Sequence, residues 1–235
     1  MFDPLLRPVK ERLIHPLARV LAGRVSPLTL TVAGAVLGLA AAGTILLDWM
    51  LAALILWLLS RLLDGLDGVV ARVAALQSDL GGYLDLLLDV LVYAVIPVSL
   101  AVRAGFDDPL GVSATLVLLA LFYVNIVSWA VLSSILEKRR AAGADSSDGA
   151  GSPDRAGPRR KMTSVAMPSG LIEGTETLIF YTLFLLLPAW YPLLAFVMAG
   201  LTALTIMQRV VWARSVLPSL ESPPGDASGS RGGAP

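Results

Sequence analysis

Asp64, Asp67, Asp85 and Asp89 place four carboxylates, with Arg72 among them, beside or inside stretches that otherwise read as membrane-spanning helix. Asp64 and Asp67 are three residues apart and share a helical face, with Gly68 and Ala71 one turn further on; Asp85 and Asp89 are four apart and share a face of the next helix. A charge near the bilayer centre costs about 2.5–3.5 kcal/mol, so four isolated aspartates would cost roughly 10–14 kcal/mol. Such a cluster needs cations, water or a charged ligand nearby. Carboxylate oxygens without imidazole or thiolate favour a hard cation such as Mg²⁺, Mn²⁺ or Ca²⁺. Four of them leave room for two ions, or for one carboxylate acting as a base. Gly65, Gly68, Ala71, Gly81 and Gly82 clear side chains from the region and let a ligand approach the backbone. Arg72 can pair with a phosphate that the metals also hold. Acids, metal and arginine together point to a pyrophosphate-type substrate.

Composition narrows the classes. Of 235 residues, 56% are hydrophobic and 15% charged, and the mean hydropathy is +0.75. These values fit a polytopic membrane protein. With no cysteine there is neither disulfide nor thiolate chemistry, and the only histidine is His15, so a metal must be held by oxygen. Asp3, Arg7, Lys10, Glu11 and Arg12 interrupt the N-terminus, which does not read as a signal peptide.

Six stretches are long enough to cross about 30 Å of hydrocarbon at 1.5 Å per residue: 27–47, 49–69, 83–102, 110–136, 171–188 and 191–212. The second is open to extension past Arg72, since only paired glycines weaken it as a helix. Arg103 is the one basic residue that this arrangement leaves on the outward side, which is the positive-inside pattern with both termini cytoplasmic. The aspartates then lie at the cytoplasmic boundary. Residues 2–25 carry Leu5, Leu6, Val9, Leu13, Ile14, Leu17 and Leu21 near a helical period with basic residues between, as expected of an amphipathic helix in the interface. The fold class is all-α: six transmembrane helices and an N-terminal interfacial amphipathic helix, forming one membrane domain over 1–214. Segments 141–158 and 215–235 are rich in Ala, Gly, Ser, Asp and Pro and are expected to be disordered.

The pattern Asp64-x2-Asp67-Gly68-x2-Ala71-Arg72-x8-Gly81-x3-Asp85-x3-Asp89 resembles the signature of the CDP-alcohol phosphotransferases at eight positions over 26 residues. Members of that family are integral membrane enzymes of phospholipid synthesis, which pass a substituted phosphate from a CDP-linked donor to an alcohol and release CMP. The resemblance implies that Asp64, Asp67, Asp85 and Asp89 lie at two Mg²⁺ or Mn²⁺ ions. It implies that Asp89 is the general base toward the acceptor hydroxyl, and that Gly68, Ala71, Arg72 and Gly81 line the CDP site. It further implies CDP-diacylglycerol as donor, an alcohol acceptor that no second motif names, surrounding membrane lipids, and a homodimer. Nothing suggests a nucleic-acid partner.

Other residues carry weaker signals. Arg159, Arg160 and Lys161 either bind an anionic acceptor or simply supply positive-inside charge. Glu173 and Glu176 open the fifth span, where they either complement the helix dipole or line the acceptor pocket. Gly34 and Gly38 form a GxxxG that suits close helix packing. Asn125 and Ser128 suit hydrogen bonds between helices. Ser26-Pro27-Leu28-Thr29 suits a helix start. Two other classes also place carboxylates in spans. A cation transporter would hold them near the midplane, often in repeated halves, and an intramembrane aspartyl protease would show two distant acids. Neither fits a glycine-lined cluster beside an arginine at the boundary.

Overall fold

The computed structural model describes residues 15–105, 107–148 and 170–217. A helical segment at 15–21 (α1) precedes α2 (Pro27–Leu46), α3 (Met50–Val73), α4 (Asp79–Ala104), α5 (Pro109–Asp148), α6 (Gly174–Leu186) and α7 (Tyr191–Val216). No strand occurs among the described residues, as the all-α reading expects.

Length and composition suit four of these segments to a membrane crossing: Pro27–Leu46, Asp79–Ala104, Pro109–Arg139 and Pro188–Val216. The other two expected spans differ for separate physical reasons. Helix α3 has 24 residues, about 36 Å at 1.5 Å per residue, but carries Arg61, Asp64, Asp67 and Arg72. Helix α6 has 13 residues, about 20 Å, because Glu173 caps its start and Pro188 opens the short 3₁₀ turn Pro188–Trp190 before α7. Helix α5 runs through 141–148, so the expected loop at 141–158 begins with helical backbone. Residues 2–14 of the expected amphipathic segment lie outside the described residues. In α1, Ala18 is buried among Leu30, Leu66, Val69 and Val70, which seats this segment on α2 and α3.

Helix α2 lies along both α3 and α4. Its start is fixed locally: the Ser26 hydroxyl accepts from the Thr29 N–H at 3.1 Å and Pro27 occupies the first turn. Its close approach depends on Gly34 and Gly38. A Cβ at Gly34 would lie 3.3 Å from the Ser60 carbonyl oxygen, and one at Gly38 would lie 2.6 Å from a Val92 methyl. The first glycine admits α3 and the second admits α4, so the GxxxG acts as a notch for two neighbours. Ser60 uses the contact: its hydroxyl donates to the Gly34 carbonyl at 2.7 Å.

An aromatic core joins α3, α4 and α6. Trp57 stacks on Tyr181 at a centroid distance of 5.2 Å, and Tyr93 meets both rings edge-on. Pro97 explains one member of this set. Lying inside α4, it has no N–H to give to the carbonyl of Tyr93, four residues earlier. The Tyr181 hydroxyl fills that vacancy from α6, donating to the Tyr93 carbonyl at 2.6 Å. Elsewhere, Arg209 of α7 donates to the Asn125 side chain and carbonyl of α5 at 2.9 and 3.0 Å, as expected of Asn125. Arg103 pairs with Asp48 in the α2–α3 turn. Tyr181→Phe is expected to leave the buried Tyr93 carbonyl without a donor at a cost of about 1–3 kcal/mol. Thermal unfolding in detergent checks this, and an unshifted midpoint would show that the carbonyl does not depend on α6.

Candidate active site

The two halves of the acidic motif meet because α3 and α4 are consecutive and their link, 74–78, is short. Helix α3 ends at Val73, and Ala75 takes a left-handed conformation with φ of 53° that turns the chain back. The Ser78 hydroxyl then caps α4 by accepting from the Gly81 N–H at 3.1 Å. A Cβ at Gly81 would stand 3.0 Å from that hydroxyl, so the glycine keeps both the cap and the space beside it.

A cavity of about 480 Å³ opens at this end of the bundle, lined by Asp67, Gly68, Ala71, Arg72, Gly81 and Asp85, together with Ser26, Pro27, Leu28 and Thr31 of α2 and its cap and Gln77 and Ser78 of the link. Six of the eight motif positions thus face one space. The other two, Asp64 and Asp89, lie behind it in a narrow gap that Asp85 also borders, together with Thr31 and Arg61. All four site positions expected along the CDP donor and all four acids are therefore gathered at one place.

Each acid has a distinct setting. Asp67 is buried at 5% exposure, and its Oδ2 accepts from the Thr31 hydroxyl at 2.5 Å. Asp89 Oδ1 accepts from Arg61 Nη1 at 2.6 Å, and Asp64 Oδ2 lies 3.7 Å from the same nitrogen. Arg61 and Thr31 are functional neighbours that the motif does not name. Arg61 had a sequence signal, an arginine inside an apolar span three residues before an aspartate. Thr31 had none, since its role comes from α2 crossing α3.

Among the described residues, no group of three acidic or histidine side chains forms a ready metal shell. Arg61 Nη1 instead lies against both Asp64 and Asp89. The donor chemistry nonetheless fits a hard divalent cation: four carboxylates around adjoining spaces, the guanidiniums of Arg61 and Arg72 beside them, and no sulfur or imidazole in either lining.

Two other regions carry expected site residues. Arg159, Arg160 and Lys161 lie outside the described residues. Glu173 and Glu176 form a reciprocal capping box at the start of α6. The Glu176 carboxylate accepts from the Glu173 N–H at 3.3 Å, and Glu173 also accepts from the Gly170 N–H at 2.7 Å. Neither glutamate lines the cavity.

A model of the CDP-alcohol phosphatidyltransferase family matches residues 24–207, which contain every motif position. The chain belongs to the CDP-alcohol phosphatidyltransferase family. It is 35% identical over 222 residues to the inner membrane protein YnjF of Escherichia coli, covering 94% of this chain and 99% of that one. A stretch of 83 residues is 40% identical to the bifunctional IPC transferase and DIPP synthase of Thermococcus kodakarensis, covering 35% of this chain and 19% of that protein. The fold is similar to the crystal structure of Mycobacterium tuberculosis phosphatidylinositol phosphate synthase in complex with manganese and citrate. That likeness has a TM-score of 0.62 and 21% identity, over 90% of this chain and 93% of the other. In this CDP-alcohol phosphatidyltransferase the apolar helices and the inner-membrane relative together mark a membrane protein. Because the capping box uses both glutamates, Glu173→Ala is expected to cost about 1 kcal/mol of stability and to leave acceptor preference unchanged. A thermal midpoint and an acceptor panel check this together, and altered preference at unchanged stability would return Glu173 to the acceptor pocket.

Proposed function

We propose that this chain transfers the phosphatidyl group of CDP-diacylglycerol to an alcohol, with release of CMP. The observation that carries the reading is the single cavity lined by six of the eight motif positions, with Asp64 and Asp89 immediately behind it. A diphosphate diester brings anionic oxygens, a cytidine and two acyl chains. The cavity offers Arg72, small residues at Gly68, Ala71 and Gly81, and an apolar wall that includes Leu28, Leu76 and Leu80.

In this reading Asp64, Asp67, Asp85 and Asp89 hold two Mg²⁺ or Mn²⁺ ions. A divalent ion bound there would offset the charge of the diphosphate and of departing CMP. Thr31 keeps the buried Asp67 carboxylate in one orientation through its hydrogen bond. Arg72 donates to the phosphates. Asp89 takes the proton of the acceptor hydroxyl as its oxygen bonds to the phosphorus that carries the diacylglycerol; the P–O bond to CMP breaks, and CMP leaves with that electron pair. An ordinary carboxylate is a weak base for an alcohol, so orientation contributes more than basicity.

Helices α3 and α6 complete a set of six crossings in this proposal, with both termini and the cavity on the cytoplasmic side. The charges on α3 are admissible in such a span because Arg61 is paired with Asp89, while Asp67 is hydrogen-bonded to Thr31. Helix α6 is anchored by the Tyr181 hydrogen bond to α4.

Purified protein given CDP-diacylglycerol and a panel of alcohols is expected to release CMP only with Mg²⁺ or Mn²⁺. Asp89→Asn is expected to lower that rate by about 10²–10⁴-fold, the usual range for a general base. CMP release that survives chelation, or an Asp89→Asn rate near wild type, would overturn the assignment.

A further inference from the structure

Arg61 is the buried cation of the site, with its side chain 7% exposed. Its guanidinium lies 4.9 Å from the centroid of the Trp57 ring and 5.0 Å from that of Tyr93, so two aromatic faces restrict its plane. Two nitrogens reach out of this slot. Nη1 donates to Asp89 Oδ1 at 2.6 Å and stands 3.7 Å from Asp64 Oδ2, while Nη2 donates to the Ser60 hydroxyl at 3.1 Å. Ser60 in turn donates to the Gly34 carbonyl of α2. Nε, also buried, has no hydrogen-bond partner among the described residues. Two ring faces and two hydrogen bonds constrain the guanidinium more than charge neutralisation alone would. This slot fixes direction as well as charge.

We propose that Arg61 is a positioning residue for the transfer reaction: held by Trp57 and Tyr93, it pins one oxygen of Asp89 and so fixes the plane in which the carboxylate meets the acceptor hydroxyl. The inference rests on the reading of Asp89 as the base. The guanidinium's planar fork holds Asp89 and Ser60 at the same time, whereas a lysine ammonium would supply the charge without that fixed geometry. Trp57 is itself held to α6 by its Nε1 donating to the Thr182 hydroxyl at 3.3 Å. The orientation of Asp89 on α4 thereby depends on α2, α3 and α6 together.

The test compares wild type, Arg61→Lys and Arg61→Gln in detergent, by CMP release from CDP-diacylglycerol and by Mn²⁺ binding followed by electron paramagnetic resonance. A misplaced reacting group costs about 10²-fold, so kcat is expected to fall by that factor in Arg61→Gln and by about 10-fold in Arg61→Lys, with the KM for donor within about twofold. Mn²⁺ affinity is expected to be no weaker than in wild type, because a competing cation has been removed or made less well placed. In an Asp89→Asn background, Arg61→Lys is expected to lower the residual rate by less than it does alone. Arg61→Lys guards against a folding defect, since it keeps the charge. Turnover within about twofold of wild type in both variants, or a loss matched by an equal loss of Mn²⁺ binding, would overturn the positioning role. A wild-type chain that releases no CMP from any donor would overturn the reaction, and the inference with it.

Discussion

Charge inside an apolar helix bundle persists only where another group meets it, and most of this structure follows from how α3 satisfies that condition. An unpaired ion in such a place costs several kcal/mol. Helix α3 carries Arg61, Asp64 and Asp67 along faces that pack against α2 and approach α4. Arg61 meets Asp89 of α4, and Asp67 meets Thr31 of α2. These bonds require all three helices to lie close, which the side chains of α2 would prevent at two points. Gly34 and Gly38 remove that obstacle.

The aromatic core extends the same dependence to α6. Pro97 breaks the hydrogen-bond ladder of α4 opposite Tyr93, and the Tyr181 hydroxyl of a shorter helix repairs it. Tyr93 and Trp57 then flank Arg61. A defect in one helix, a hydroxyl on another and a cation on a third are thus parts of a single packed unit. An aromatic pair contributes about 0.5–1.5 kcal/mol beyond the area it buries, but its larger effect here is geometric, because it holds the guanidinium in one plane. The chemistry proposed for the cavity draws on that rigidity, since a carboxylate acting on an alcohol depends chiefly on how it is oriented.

Much of the site was legible before any coordinates. The spacing of Asp64 with Asp67, and of Asp85 with Asp89, places each pair on one helical face whatever the surroundings. The short link between them makes the two helices neighbours. Oxygen-only donors and small residues at Gly68, Ala71 and Gly81 restrict the ligand class without reference to packing. Local signals also read correctly where they were strong: Ser26 and Pro27 start α2, and Asn125 joins α5 to α7. The spans were less legible. A hydropathy pattern does not mark caps, so the expected stretch 171–188 became the 13-residue α6, with Glu173 as its N-cap and Leu187 as its C-cap. It also gave no reason for α5 to continue through 141–148, where alanine-rich helix outlasts the apolar run.

The sequence by itself determined the acids, their pairing along each helix, the exclusion of sulfur and imidazole ligands, and the family to which the motif points. Those properties are local: they depend on residue type and on a helical repeat that does not change with context. Only the tertiary structure decided that Arg61 lies against Asp89, that Thr31 holds Asp67, and that Glu173 and Glu176 serve the start of α6. Each of these depends on groups brought together by backbone geometry: a hydroxyl from a crossing helix, an arginine turned by two rings, or N–H groups left open at a helix end. A periodic pattern carries no record of which neighbouring helix will supply the partner, and at this site the partner sets the direction of the charge.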